Sequence, residues 1–421
     1  TAKAGTVERP VHINKAILFI LYIDDKPKSL KYSVVTTVWS LLMKNSTRGN
    51  VDAFIVMDVM EAARKAESSG KNIIHMEVGQ PSSGAPKEAL KQLYDQSLTQ
   101  NLGYSVALGL PDLRNEIANL YKKRYKLCID PERVIITSGS SAAFILTFIS
   151  FFNEGDKILV GEPGYPSYKN IIKSLSLVPE LYPTTLEDRF QLTPSSIEKS
   201  SSKGILVASP ANPTGISLKR SELKSLIESA QKKSMTFISD EIYHGLNFNG
   251  SDVSALEFND EAIIINSFSK YFSMTGWRLG WMIAPLIYIR KLEKLTQNLF
   301  ICPSHASQLL GLFTMKSSMN FNKKVDEYKV NRDMLMRNLP KLGFSEIVEP
   351  DGAFYVFVDV ADIAEDSQQF CAELICKTGV AITPGIDFSK SLPPTWIRIA
   401  YTQPADRLLE AVERMERFIH G

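Results

Sequence analysis

The sequence predicts an α/β protein with a mostly parallel sheet covered by helices on both faces, followed by a smaller α+β domain. Three observations carry that prediction. Short apolar runs at 134–137, 157–160, 205–208, 235–239 and 263–265 read as buried strands. Helical stretches such as 141–152 and 220–233 fall between some of them. From about residue 299 the alternation stops. A long helical region (304–339), an alternating strand at 352–358, a further helix, a strand near 380–383 and a last helix at 405–420 follow.

Residues 1–48 hold two apolar patches, 17–23 and 34–43, separated by Asp24-Asp25-Lys26-Pro27-Lys28, and no chemical motif. The run 16–23 follows Lys15. It is short, two aspartates follow it at once, and it lacks a small-residue cleavage site. It therefore reads as a buried strand or a non-native leader rather than a signal peptide. From Val51 the pattern becomes regular, with a helix over 57–65 and a strand over 72–78 that ends at Gly79-Gln80-Pro81. The partition expected is an extension at 1–48, a segment at 49–85 that joins the small domain, a large domain at 86–298 and a small C-terminal domain at 299–421. No internal repeat or low-complexity tract interrupts it.

With 421 residues the chain can bury a large core, and its 44% hydrophobic and 22% charged content is that of a globular protein. Forty-eight basic residues against 46 acidic ones give no reason to expect nucleic acid or an anionic membrane as partner. No apolar run reaches the roughly 20 residues that span a bilayer. Cys128, Cys302, Cys371 and Cys376 are scattered, without a CxxC pair or zinc-ligand spacing, so a reducing, cytoplasmic setting and no metal are expected.

The chemistry concentrates after the strands, where an α/β sheet gathers its ligands. Ser267-Phe268-Ser269-Lys270 follows the strand at 263–265, and Arg278 lies one short loop on. A lysine amine there can form a Schiff base with an aldehyde, and hydroxyls with an arginine can hold a phosphate. Pyridoxal phosphate carries both groups. Ser138-Gly139-Ser140-Ser141 opens a helix, either as an anion site or as a cap. No GK[ST] or strand-following GxGxxG supports a nucleotide site. Asn212-Pro213-Thr214-Gly215 reads alone as a turn. Asp240, at a strand end, is a helix cap or a functional carboxylate; Tyr165 stacks on a flat ring or packs in a turn. Arg398, within the apolar run Trp396-Ile397-Arg398-Ile399-Ala400-Tyr401, needs an anion, structural or substrate.

Taken together, Gly79-Gln80-Pro81, Tyr104, Leu110-Pro111-Asp112-Leu113-Arg114, Ser138 to Ala142, Gly164-Tyr165-Pro166, Asn212 to Gly215, Asp240-Glu241-Ile242-Tyr243, Ser267 to Lys270, Arg278 and Arg398 resemble, in order and spacing, the class I/II aminotransferases, fold type I of the pyridoxal-phosphate enzymes. The resemblance covers residues from about 50 to 421 and is closest to the aspartate-aminotransferase-like members. It implies a homodimer with shared active sites that moves an amino group from an L-amino acid to a 2-oxo acid in ping-pong order. By it, Lys270 holds pyridoxal 5'-phosphate as a Schiff base and then shuttles a proton. Asp240 pairs with the pyridine nitrogen, Asn212 and Tyr243 meet the ring O3′, and Tyr165 stacks on the ring. Ser140, Ser141, Ser267, Ser269 and Arg278 hold the phosphate, which Tyr104 reaches from across the dimer. Arg398 grips the substrate α-carboxylate near the backbone of Gly79, with Asn212 beside it.

One departure bears on selectivity. Where some aspartate-selective members carry a lysine for the distal carboxylate, this chain has Ser141, so neutral or aromatic donors are expected to compete with aspartate, beside Tyr165 and Phe354. A C–S lyase or decarboxylase of the same fold is the alternative, since its reaction starts from the same Schiff base. A cofactor-sensing transcription factor would need a DNA-binding module, and residues 1–48 lack a helix-turn-helix pattern and a basic bias.

Overall fold

The computed structural model describes residues 46–250 and 252–421; the apolar patches expected at 17–23 and 34–43 lie outside the described residues. The chain divides into two units, residues 1–50 and 51–421, and everything below concerns the second.

Its strands, in chain order, are β1 (Ile74–His75), β2 (Val134–Thr137), β3 (Lys157–Glu162), β4 (Val178–Pro183), β5 (Gly204–Ala208), β6 (Thr236–Asp240), β7 (Ile263–Ser267), β8 (Gly280–Ile283), β9 (Glu346–Val348), β10 (Tyr355–Asp359), β11 (Val380–Ala381), β12 (Thr383–Pro384) and β13 (Trp396–Ala400). β2 to β8 form one seven-stranded sheet in the order β2-β8-β7-β6-β5-β3-β4. All its neighbours are parallel except those of β8, which runs antiparallel to both β2 and β7. Helices cover both faces, so strand side chains are buried whichever way they point. Along β7, Ile264 enters one core while Ile263 and Ile265 enter the other.

The smaller elements group as a four-stranded antiparallel sheet, β12-β13-β10-β9, and a parallel pair, β1-β11. Two expectations are revised here. The strand at 72–78 narrows to Ile74–His75, because the backbone of Met76 is shared between two partners: its N–H reaches the Ala381 carbonyl at 2.9 Å and its carbonyl accepts from Ala400 N–H at 2.7 Å. The helical region at 304–339 is two helices, His305–Lys316 and Asn322–Asn338, separated by Ser317-Ser318-Met319-Asn320-Phe321. The polar turn formers there end the first helix.

β2, β3, β5, β6 and β7 all run the same way, so their carboxyl ends share one edge of the sheet. The loops leaving that edge carry Gly139-Ser140-Ser141, Tyr165, Asn212, Asp240 and Lys270.

Candidate active site

A cavity of about 190 Å³ opens at that edge, and Gly79, Ser140, Ser141, Tyr165, Asn212, Asp240, Tyr243, Ser269, Lys270, Arg278 and Arg398 all line it. Residues read from widely separated stretches of sequence therefore share one site. Ser267 and Tyr104 do not line it. The Ser267 hydroxyl stands behind Ser269, 2.9 Å from the Ser269 hydroxyl and donating to the Leu279 carbonyl at 3.0 Å. Tyr104 lies away from the cavity of its own chain and is 84% exposed.

Lys270 leaves the buried end of β7 and donates its amine to the carbonyl of Gly79 at 2.6 Å. Burial, with Arg398 and Arg278 nearby, pushes this amine down to about 7, against a smaller pull from Asp240. At neutral pH a sizeable share is the free, nucleophilic amine.

Asp240 ends β6 and is followed by a turn, not a helix, which removes the helix-cap reading. One of its oxygens accepts the Ile242 N–H at 3.1 Å, and the other accepts the hydroxyl of Tyr168. Burial pushes its carboxyl up to about 6 against those two bonds. No cationic side chain among the described residues donates to it, so a positive group entering the cavity would find its counter-charge here.

Arg398 is 2% exposed, in the middle of β13. Its Nη1 donates to Asn212 Oδ1 at 2.9 Å and its Nη2 to the Glu77 carbonyl, while its Nε has no partner. The guanidinium lies close to two rings, 4.3 Å from the centroid of Tyr355 and 4.7 Å from that of Phe388. No carboxylate of the described residues is within 4.0 Å of it. The buried carboxylate that feels its charge, Asp387, spends both oxygens on the Ile55 and Val56 N–H groups, at 3.2 and 3.1 Å, and makes no ion pair with it.

At the other end of the cavity, the helix Gly139–Phe151 presents its N-terminus; Ser138, at the cap position, makes no side-chain cap bond, so the first N–H groups remain open to an anion. Arg278 sits beside it in the left-handed region at φ 50°, with Nη1 on the Thr275 carbonyl at 3.1 Å. Gly139, at φ +75°, is required there: a Cβ would stand 2.5 Å from Arg278 Nη2. Tyr165 packs edge-on against Tyr168 at 5.2 Å and Phe54 at 5.8 Å.

Phe54, Val56, Tyr168 and Tyr355 also line the cavity and were not singled out from sequence. Tyr168 was the legible one: it follows Tyr165 by three residues in a helix-opening segment and so shares its side. Phe354, expected beside the substrate, does not itself line the cavity; it is buried with its ring against that of Tyr243 and its centroid 5.7 Å from the Lys270 amine. The apolar wall comes from Phe54, Val56 and Val78.

The sequence model of aminotransferase class I and II matches residues 71–415. The chain belongs to that family. A valine–pyruvate aminotransferase of Mycobacterium tuberculosis is 38% identical over 374 residues, covering 87% of this chain and 96% of the relative. An aspartate aminotransferase of Sulfurisphaera tokodaii is 30% identical over 90% of this chain and 97% of its own. The crystal structure of an aminotransferase from Mycobacterium tuberculosis superposes with a TM-score of 0.87 at 36% identity, over 90% of this chain and 99% of the other. The protein is thus an aminotransferase of fold type I.

Proposed function

We propose that this aminotransferase uses pyridoxal 5'-phosphate held at Lys270 to move the amino group of a neutral L-amino acid to a 2-oxo acid. Arg398 carries the reading: a buried guanidinium with an unpartnered Nε and no ion pair among the described residues, in the same cavity as a lysine amine held near 7. The missing anion is the α-carboxylate common to amino and 2-oxo acids, which Arg398 would grip through its planar fork. One fork serves both, so the donor leaves before the acceptor binds.

The residues fit the cofactor at each of its ends. Lys270 would hold its aldehyde carbon. Asp240, lacking a cationic partner, would face the ring nitrogen and keep it protonated. Asn212 and Tyr243 would meet the ring O3′, and Tyr165 the ring face. The open helix start at Ser140 and Ser141, with Ser269 and Arg278, would hold the phosphate, and Ser267 would steady Ser269 from behind. When bound, the cofactor supplies an electron sink for the substrate Cα carbanion. Lys270, freed by substrate, would take the proton from that Cα and deliver it to the cofactor carbon that the lysine itself had held. The names of the relatives give no support to the lyase or decarboxylase alternative.

Donor selectivity follows from what lines the cavity. Lys270, Arg278 and Arg398 are its only cationic linings among the described residues, and each has a duty already. A distal carboxylate would meet Phe54, Val56 and Val78 instead, an unpaired charge against apolar wall. The test is kcat/KM for aspartate against alanine, valine, phenylalanine and tyrosine, with pyruvate and 2-oxoglutarate as acceptors. A preference for aspartate above about a hundredfold, worth about 2.7 kcal/mol, would overturn the neutral-donor reading and leave transamination standing.

Tyr104 supports a homodimer: it is highly exposed and would reach the phosphate of the partner's site. A fully active monomer in analytical ultracentrifugation would refute this. The expected joining of 49–85 to the small domain at 299–421 is supported by the pairing of Ile74 with Val380, whereas Leu309, Leu310 and Leu312 of the helix His305–Lys316 pack in the core of the large domain expected at 86–298. The setting we propose is cytoplasmic, with Cys128, Cys302, Cys371 and Cys376 all free thiols. Among the described residues no helix is long and apolar enough to cross a membrane.

A further inference from the structure

We propose that Tyr355 is a positioning residue that joins the two halves of the site: its ring sets the plane of Arg398, and its hydroxyl sets the hydroxyl of Tyr243. The inference rests on the reading of Arg398 and Tyr243 given above and adds a residue that neither the family motifs nor the strand pattern singled out.

The placement comes from the small sheet. β10 and β13 are antiparallel, with Phe357 opposite Arg398 and Tyr355 opposite Ala400. Directly paired residues point to the same face, and so do residues two apart along a strand. Tyr355 is therefore the diagonal neighbour of Arg398 on that face, within reach of a large side chain. Its ring centroid lies 4.3 Å from the guanidinium carbon, in the range of a cation–π contact, and the site is buried, where such contacts are strongest. Phe388 offers a second ring, its centroid 4.7 Å from the same carbon. Asn212 and the Glu77 carbonyl take one N–H from each terminal nitrogen, which fixes the rotation within the guanidinium plane.

The other end of Tyr355 meets Tyr243. Their hydroxyl oxygens are 2.8 Å apart, and the rings pack edge-on at 5.8 Å. Tyr243 is 4% and Tyr355 1% exposed, so water does not compete for this bond. A Tyr243 oxygen that accepts from Tyr355 becomes a stronger donor toward the ring O3′, since linked hydrogen bonds polarise one another. The space is also closed against alternatives: a Cβ at Gly79 would fall 1.5 Å from the Tyr355 hydroxyl oxygen, so the tyrosine occupies the room that a side chain at 79 would need. One residue thus bears on the carboxylate end, the O3′ end and the strand end whose carbonyl receives Lys270.

Two substitutions separate these duties. Tyr355→Phe keeps the ring and removes the hydroxyl; Tyr355→Leu removes both. In the cofactor-loaded enzyme the visible absorbance band is titrated against pH, and the dissociation constant of isobutyrate, an unreactive carboxylate, is read from its perturbation of the same band. Tyr355→Phe should raise the midpoint of the titration by about half a pH unit or more, because a weaker donor at O3′ stabilises the deprotonated form less. It should bind isobutyrate within about twofold of wild type, since the stack on Arg398 is kept. Tyr355→Leu should bind isobutyrate roughly tenfold more weakly. An unmoved midpoint in Tyr355→Phe, or wild-type isobutyrate binding in Tyr355→Leu, overturns the proposal while the roles of Lys270 and Arg398 stand. A wild-type enzyme with no visible band and no isobutyrate binding overturns both together.

Discussion

The amine of Lys270 meets the carbonyl of Gly79, 191 residues earlier in the chain, at 2.6 Å. The lysine belongs to the end of the large sheet and the glycine to the segment that follows β1, whose partner β11 lies far along the chain. Both residues line the cavity that Arg398 also lines.

Replacing the lysine tests the centre of the assignment. Lys270→Ala should abolish turnover while leaving the circular-dichroism spectrum unchanged, because both the covalent anchor and the proton carrier are gone. Loss of the proton carrier alone is worth on the order of 10²–10⁴ in rate. A variant that transaminates at near wild-type rate would remove Lys270 from the mechanism.

Asp240→Ala should separate chemistry from stability. The carboxylate caps no helix, so its removal should cost only the Ile242 N–H and Tyr168 hydroxyl left unpaired, about 1–3 kcal/mol; kcat should fall on the order of a hundredfold or more, the scale of losing a buried electrostatic partner. Normal turnover with a lowered melting temperature would make Asp240 a structural residue.

The depressed amine of Lys270 has a signature in the cofactor-free protein. Its ordinary value is 10.5 and the folded value about 7, so between those limits the unfolded chain holds more protons than the folded one. The cost of burying the charge is therefore fully present below pH 7 and is relieved as the pH rises toward 10.5. Thermal unfolding of cofactor-free wild type and Lys270→Met, at several values across that window, should show the wild type gaining on the variant as the pH rises. A constant difference between the two would mean that the amine is not held down.

Arg398→Lys should weaken all amino donors alike. The α-carboxylate is common to them, and a lysine reproduces neither the bidentate fork nor the contacts with the rings of Tyr355 and Phe388. The measurement is kcat/KM for three or more donors of different side chain. A loss confined to aspartate would place Arg398 at the distal carboxylate instead.

Much of this site was legible before any coordinates. Lysine after a buried strand, aspartate at a strand end, serines opening a helix and an arginine inside an apolar run are local patterns, each with a bland alternative, and it is their order and spacing together that point to one chemistry. The sheet was legible because β2, β3, β5, β6 and β7 are short and continuously apolar, since both faces are buried. β8 was missed. Its four residues, Gly280 to Ile283, follow the Arg278 loop directly, and nothing in so short a run marks its direction. β4 was missed because it is an edge strand whose residues are half-buried or exposed, without an apolar run.

Sequence alone, then, determined which groups are available: a lysine after a buried strand, a carboxylate at a strand end, serines at a helix start, an arginine in an apolar run. Tertiary structure decided their relations. That among the described residues Asp240 and Arg398 each make no ion pair, that Tyr168 and Tyr355 stand behind the two, and that Phe54 lines the cavity are facts about partners remote in the chain. Burial and the absence of a counter-charge are properties of a volume, and that volume forms only when the carboxyl ends of the large sheet meet the antiparallel strands β10 and β13 and the segment around Gly79.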